Sequence, residues 1–291
     1  MREDPWRIVP VVVGLVGFAA LFRAPAVTLV QDWWSDPEAS HGLLLGPTAA
    51  YLAWRRGFTS QTAPWPRLGL GLLLSAVALR FVSELAVEHY TMRLSMLGAV
   101  GALIVAFRGF GQLRHWWLPG TLLVLSIPLP QMVLAKLALP LQLQASAIGA
   151  GLLQARSVPV ELAGNIIHLP GQSLFVAEAC SGLRSLTALL SLGVMMAGIF
   201  LERGWTRVAI VLLTIPLAVV VNGIRVFVTG FVVYFVGPSF GSGFMHYTEG
   251  WALFMASFAV VGAVTWLLSS AEAWIQTRHG RGGALPSAGV A

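Results

Sequence analysis

Cysteine is almost absent from this chain: Cys180 is the only one among 291 residues. No internal disulfide can form, and no CxxC or Cys/His pattern offers a zinc site. Charge is scarce as well, at 10% of residues, where a soluble domain carries about 25%. That scarcity excludes an ordinary soluble enzyme. What remains is a sequence that is 57% hydrophobic with a mean hydropathy of +0.78, the composition of an integral membrane protein. Acidic residues are outnumbered, 12 against 18 basic. The arginines are scattered between apolar runs, which is how a multispanning protein fixes its orientation and not how a nucleic-acid surface is built. The opening "MREDPWRIVP" has no small-residue cleavage site after its apolar run, so the run reads as a first span or an uncleaved anchor.

Apolar runs mark candidate spans at 8–22, 42–54, 68–88, 93–107, 116–131, 182–200, 208–229 and 247–270. Several fall short of the ~20 residues a helical crossing needs, so their ends must extend into amphipathic flanks or the helices must sit in a bundle. With the N-terminus in the cytoplasm, these crossings place 11 of the 18 basic residues inside, including Arg55, Arg56, Arg67, Arg108, Arg114, Arg203 and Arg207. Only Arg23, Arg93, Lys136 and Arg156 fall outside, the bias of the positive-inside rule. A further apolar segment, 137–155, carries Gln142, Gln144 and Gln154 and is interrupted early by Pro140. A crossing there would either invert the last two spans or need a second crossing, so it is expected on the outer face as an interfacial or re-entrant element. "VPVELAGNIIHLPG" (158–171) alternates apolar residues, turns at Gly164-Asn165 and stops at Pro170-Gly171, which predicts a short β-hairpin. Arg80, Glu84 and Glu88 share a helix face at i, i+4 spacing and read as an ion-pair set. Trp33 and Trp34 fit an aromatic belt.

The fold class expected is an all-α membrane protein: a polytopic bundle of about eight transmembrane helices, an extracytoplasmic interfacial helix, and a β-hairpin before Cys180. Residues 1–279 form one integral membrane domain. The tail 280–291, rich in Gly, Ala, Pro and Ser, is expected to be disordered and cytoplasmic.

Three segments bring unusual residues to one outer level: "AEACSGLRS" (177–185), "VNGIRVFVTG" (221–230) and "FMHYTEGW" (244–251). A thiol at a helix start feels the positive end of the macrodipole, which lowers its pKa. Arg184, four residues after Cys180, shares its helix face and acts in the same direction. A thiolate is a strong nucleophile suited to acyl transfer. His246 can serve as general base and then general acid. Arg225, costly within a span unless paired or functional, can stabilise an oxyanion or bind a carboxylate. Blander readings stand beside these. Cys180 can be a small core residue. Arg225 can pair with Glu178 or Glu249. His246 can be an interfacial histidine bonded to a carbonyl. Asn222-Gly223 can serve close helix packing, and "GSG" (241–243) reads as a loop.

Together and in this order the segments resemble the exosortase/archaeosortase family of multispanning cysteine transpeptidases. The matching stretches are "GNIIHLPGQSLFVAEACSGLRSL" (164–186), "NGIRV" (222–226) and "HYTEGW" (246–251), with "SHGLLLGPTAAYLAW" (40–54) resembling the Ser-His-Gly segment that opens the family's second span. The resemblance implies catalytic roles for Cys180, Arg225 and His246. Arg184, Glu178, Asn222, His41 and Glu249 are supporting or substrate-binding candidates, and a structural role for His41 at a helix start stands equally. It implies no metal and no cofactor. The implied substrates are exported proteins ending in a Pro-Glu-Pro-like motif, a transmembrane helix and a basic cluster. The implied acceptor is a surface or lipid-linked glycan, or water. The implied location is the bacterial inner membrane, with the site facing the periplasm among membrane lipid and no nucleic-acid partner. A different class also fits an apolar chain with intramembrane Arg and Glu: a non-enzymatic component of exopolysaccharide export or a small transporter. The latter is weakened by the lack of paired half-length segments. An intramembrane serine protease is disfavoured because Ser173 and Ser181 lie in no GxSx pattern within a span.

Overall fold

The computed structural model describes residues 9–60, 62–176, 182–237 and 244–281; the side chains of 9–11, 244–251 and 276–281 are outside that description. The chain divides into two compact units, Met1–Gln131 and Met132–Ala291.

The first unit is helical. It comprises α1 (Val9–Ser35), α2 (Gly42–Arg56), α3 (Pro66–Leu85), α4 (His89–Arg108), α5 (Phe110–His115) and α6 (Trp117–Leu125). Helices α3 and α4 form a tight hairpin, close enough that a Cβ on Gly69 would stand 2.4 Å from the Cβ of Ala106. Their turn is a Schellman motif. The N–H of Glu88 donates to the Ser83 carbonyl (2.9 Å) and that of Val87 to the Glu84 carbonyl (3.1 Å), with Val87 in the left-handed region at φ 53. Glu88 then caps α4, accepting from the Thr91 N–H (2.7 Å), the Tyr90 N–H (3.1 Å) and the Thr91 hydroxyl (2.6 Å). Burial works to raise its pKa, but these bonds outweigh it and hold the carboxyl below its ordinary value. The expected ion pair therefore resolves into two devices. Arg80 does pair with Glu84 at 2.7 Å, while Glu88 is a helix cap.

The ends of this unit differ in charge. At one end Arg93 pairs with Asp32 at 2.7 Å, and the indole N–H of Trp33 donates to the Ser126 carbonyl at 2.7 Å. At the other the Trp65 N–H reaches the Val105 carbonyl at 3.1 Å, and the Trp116 indole reaches the Gly57 carbonyl at 3.0 Å. That end gathers Arg55, Arg56, Arg67, Arg108 and Arg114, with the Arg108 guanidinium 4.3 Å from the Phe58 ring centroid. Helix α2 runs between the two ends and α5–α6 runs back. At 15 residues, α2 is only about 22 Å long. Helix α6 stops at Leu125 because Pro128 and Pro130 follow. The span expected at 116–131 is thus cut short. Trp34 is exposed as a belt residue would be, but Trp33 packs on α2, where its ring fills the space a Cβ on Gly42 would need.

The second unit comprises α7 (Gln131–Ala155), strands β1 (Glu161–Ala163), β2 (Ile166–Leu169) and β3 (Gln172–Phe175), then α8 (Leu183–Phe200), α9 (Gly204–Phe235) and α10 (Phe244–Arg281). Among the described residues, α1, α3, α4, α7, α8, α9 and α10 are long and apolar enough to cross a membrane. The architecture is that of an all-α polytopic membrane protein with one small sheet. Pro140 does not break α7, which is continuous over 25 residues. The helix meets α9 over a short stretch, Ile148–Leu153 against Gly223–Gly230. Residues 282–291 of the expected tail lie outside the described residues, and 280–281 close α10.

Helix α7 ends in a second Schellman motif. Ser157 stands at φ 60, and the Val158 N–H donates to the Leu153 carbonyl at 3.1 Å. Both Val158 and Leu153 are buried, the apolar contact that usually accompanies the motif. The expected hairpin forms with its turn at Gly164-Asn165, where Ala163 pairs with Ile166. Gly164, at φ +65, holds the first central position as a II′ turn requires. Pro170-Gly171 is not a stop but a second turn, with Gly171 at φ +79, and it adds β3 antiparallel to β2. Ile167, Leu169 and Val176 pack with Ala145, Leu153, Val226 and Val233. The Gln172 amide donates to the Val233 carbonyl at 3.0 Å, so the sheet is seated on α7 and the end of α9.

A left-handed Val or Ser costs about 1 kcal/mol relative to glycine. Val87→Gly and Ser157→Gly should each raise stability by roughly that amount, read as an upward shift of the thermal midpoint in detergent. Val87→Ala should give no such gain.

Candidate active site

Helix α9 carries the site's buried stripe. Thr206, Ile210, Thr214, Ala218, Asn222, Val226 and Gly230 recur every fourth residue and are all buried. Thr206, Thr214, Ala218 and Gly230 among them are small and let helices approach closely in lipid, where apolar burial drives no association. On one side Gly193 of α8 faces Thr214, and Gly182 faces Asn222. On the other, a Cβ on Gly223 would meet Ile148 at 2.4 Å, and one on Gly149 would meet Val226 at 2.5 Å.

Gly182 is the helix-start residue of α8 and stands at φ +79. A Cβ there would lie 2.7 Å from Cγ of Asn222, which is 3% exposed. Arg225 follows Asn222 by three residues and is half-buried. Arg184 is exposed in the first turn of α8. Cys180 and Glu178 lie outside the described residues, as does the "GSG" loop. His246 and Glu249 lie in the first turns of α10, and their side chains are outside the description.

The far end of the unit fixes the axial levels. Buried Glu272 of α10 accepts from the N–H groups of Glu202 (2.9 Å) and Arg203 (3.2 Å) and from the Thr206 hydroxyl. A carboxylate here satisfies orphan donors at the start of α9 and complements its dipole. Counting 1.5 Å per helical residue from this joint, Asn222 stands about 24 Å away, Arg225 about 29 Å and His246 about 39 Å. The start of α8, the second half of α9, the start of α10 and the sheet thus share one end of the unit. Glu272 escaped the sequence reading because its partners lie 66–70 residues away. A lone carboxylate late in an apolar run was the available signal. The polar link between sheet and α7 was missed for the same reason: the Asn165 amide donates to Gln142 at 3.0 Å.

His41 belongs to the first unit. It is the helix-start residue of α2, and its Nε2–H donates to the Leu125 carbonyl at 3.1 Å. Burial lowers its pKa against the raising effect of that bond and of Asp36. The structure gives this histidine a specific packing role, tying α2 to the end of α6. Among the described residues no group of three His, Cys, Asp or Glu could hold a metal ion.

The family model of the transmembrane exosortases matches residues 33–263. The chain belongs to the transmembrane exosortase family. No curated protein and no solved structure matches it. The match takes in all three segments singled out above, and membership supports a membrane transpeptidase in general. In this exosortase, Gly182 is the described residue nearest in sequence to the lone cysteine, and it packs against α9 one turn before Arg225.

Gly182→Ala should combine left-handed strain with a collision at Asn222, costing on the order of 2–3 kcal/mol. Its thermal midpoint in detergent should fall, while Gly151→Ala, within α7 and with open space at its Cβ, should not lower it and should raise it slightly. His41 has a folded-state pKa below its ordinary 6.5, so the native state binds fewer protons than the unfolded chain. Stability should fall as pH drops below about 6.5, with the loss complete below the lowered pKa. His41→Asn should flatten that pH dependence.

Proposed function

We propose that this exosortase is a membrane-embedded cysteine transpeptidase, with Cys180 as nucleophile, Arg225 as oxyanion stabiliser and His246 as proton carrier. The observation that carries the reading is the seat of Gly182 on Asn222, one turn before Arg225. Cys180 precedes Gly182 by two residues, and two residues of chain reach at most ~7 Å. That short connection to the seat of Gly182 supports pairing Cys180 with Arg225.

The chemistry balances. The Cys180 thiolate attacks the scissile carbonyl carbon, and a C–S bond forms as charge moves to oxygen. Arg225, half-buried, acts in a lower dielectric than exposed Arg184 and suits the oxyanion better. As the tetrahedral intermediate collapses, the C–N bond breaks and His246, as imidazolium, gives its proton to the departing amine. An acceptor amine or hydroxyl, or water, then loses a proton to His246 and attacks the thioester, and the thiolate departs. Arg184 stands at a helix start, where a cation is unfavourable by itself. A neighbouring anion, the thiolate or a substrate carboxylate, offsets that cost. Asn222 holds Gly182. Glu178 and Glu249 are the acidic neighbours on the two flanking segments.

The substrates are exported proteins whose C-terminal signal joins a Pro-Glu-Pro-like motif to an apolar helix and a basic cluster. In the second unit, Arg203 and Arg207 at the start of α9 fit the cytoplasmic side of a bacterial inner membrane. The sheet and the catalytic end then face the periplasm. A lipid-linked or surface glycan is the acceptor.

Co-expression with a reporter carrying such a tail, followed by mass mapping of its new C-terminus, tests this. Cys180→Ala and His246→Ala should abolish processing, and Arg225→Ala should slow it by about 10²–10³-fold, with all three still found in the membrane fraction. Unchanged processing in Cys180→Ala would sink the mechanism and leave the export or transport reading.

A further inference from the structure

The three-stranded sheet has two edges, and they are built differently. The β1 edge has only three residues, opens with Glu161 and is preceded by Pro159. Charge, proline and shortness are the usual means of keeping an edge from pairing with another chain. The β3 edge is one residue longer and carries no charge, although Pro170 precedes it at the same distance as Pro159 precedes β1. Its sequence, Gln172-Ser173-Leu174-Phe175, is uncharged and free of proline.

The register says which groups of β3 point outward. Leu169 pairs with Gln172 and Ile167 with Leu174, and the Val176 N–H donates to the Asn165 carbonyl at 2.9 Å. Hydrogen-bonded pairs alternate along an antiparallel ladder. Gln172, Leu174 and Val176 therefore turn their backbone groups toward β2, and Ser173 and Phe175 turn theirs away. Neither residue's outward groups have a partner among the described residues, and both residues are exposed, Phe175 at 60%. The other face of the sheet is held by the packing of Ile167, Leu169 and Val176 and by the Gln172–Val233 bond. Among the described residues the edge is thus firmly mounted and uncovered.

We propose that the β3 edge is the substrate-docking strand of this exosortase: an extended segment of the polypeptide substrate adds to the sheet there, hydrogen-bonded to the N–H and C=O groups of Ser173 and Phe175. The inference rests on the transpeptidase reading above. Chain continuity selects the occupant, because Cys180 follows Phe175 by only five residues in the sequence. A scissile peptide must be extended for its carbonyl to be attacked, and β-addition supplies that conformation through main-chain bonds, leaving side-chain pockets to select sequence. Phe175 gives the added strand an apolar cross-strand neighbour. Ser173 is held by His168, whose Nδ1 lies 2.8 Å from its hydroxyl oxygen.

Two measurements with the tailed reporter test the proposal. In the Cys180→Ala background, Phe175→p-benzoylphenylalanine should cross-link the reporter on irradiation, and Leu162→p-benzoylphenylalanine on the β1 edge should not. Separately, Phe175→Pro removes an outward N–H without touching the β2 ladder, so processing should fall at least tenfold below that of Phe175→Ala at equal membrane abundance. No cross-link at 175, equal cross-linking at both edges, or equal processing by the Pro and Ala variants overturns strand addition. Processing that survives Cys180→Ala instead overturns the underlying reading, so the two failures are distinguishable.

Discussion

Ile148 occupies the place where Gly223 would carry a side chain, and Asn222 occupies the place where Gly182 would. These adjacent residues of α9 face α7 and α8, and that double close approach is the constraint on which the second unit depends. In lipid, apolar surface gains nothing by leaving its surroundings, so helix association rests on fit and on polar contacts. A four-residue recurrence of small or slender side chains along α9 supplies the fit. At the opposite end, Glu272 supplies the polar contact at the start of α9, where orphan N–H groups would otherwise face apolar surroundings. One helix is thereby held at its start by Glu272 and along its second half by α7 and the start of α8.

The sheet extends that support beyond the helices. Its seat on Leu153, Val226 and Val233 and its amide bond to Val233 mean that β2 and β3 cannot shift without disturbing α9. A Schellman turn at Ser157 launches it, and two glycine turns fold it. The strand that emerges ends five residues before the lone cysteine in the sequence. A transpeptidase must hold a substrate carbonyl still while its nucleophile approaches, and the proposed docking on β3 is a direct way to do so.

Much of this was legible in the residues themselves. Low charge and long apolar runs specify a membrane bundle. Gly164-Asn165 specifies a hairpin turn, and arginine placement anticipates the charged ends that the first unit displays. Pro170-Gly171 was misread as a stop because Pro-Gly ends strands as readily as it turns them, and whether a third strand follows depends on whether its apolar face finds α9. Pro140 was expected to interrupt α7, yet the helix runs through it. Pro128 and Pro130 do end α6. The difference is context, since freed backbone groups can be satisfied by neighbours in one place and not in another.

The sequence by itself determined what is local and additive: hydropathy, charge bias, the need for positive φ at Gly164 and Gly171, and the chemical suitability of Cys180, Arg225 and His246. The tertiary structure decided what is relational. It selected the face of α9 that is buried, seated Gly182 on Asn222, made Glu88 a helix cap where an ion pair was expected, set Glu272 against the start of α9, and left the outward backbone groups of Ser173 and Phe175 without a partner among the described residues. These outcomes join residues tens of positions apart. No local pattern encodes such a pairing, because its energy exists only once both surfaces are in place.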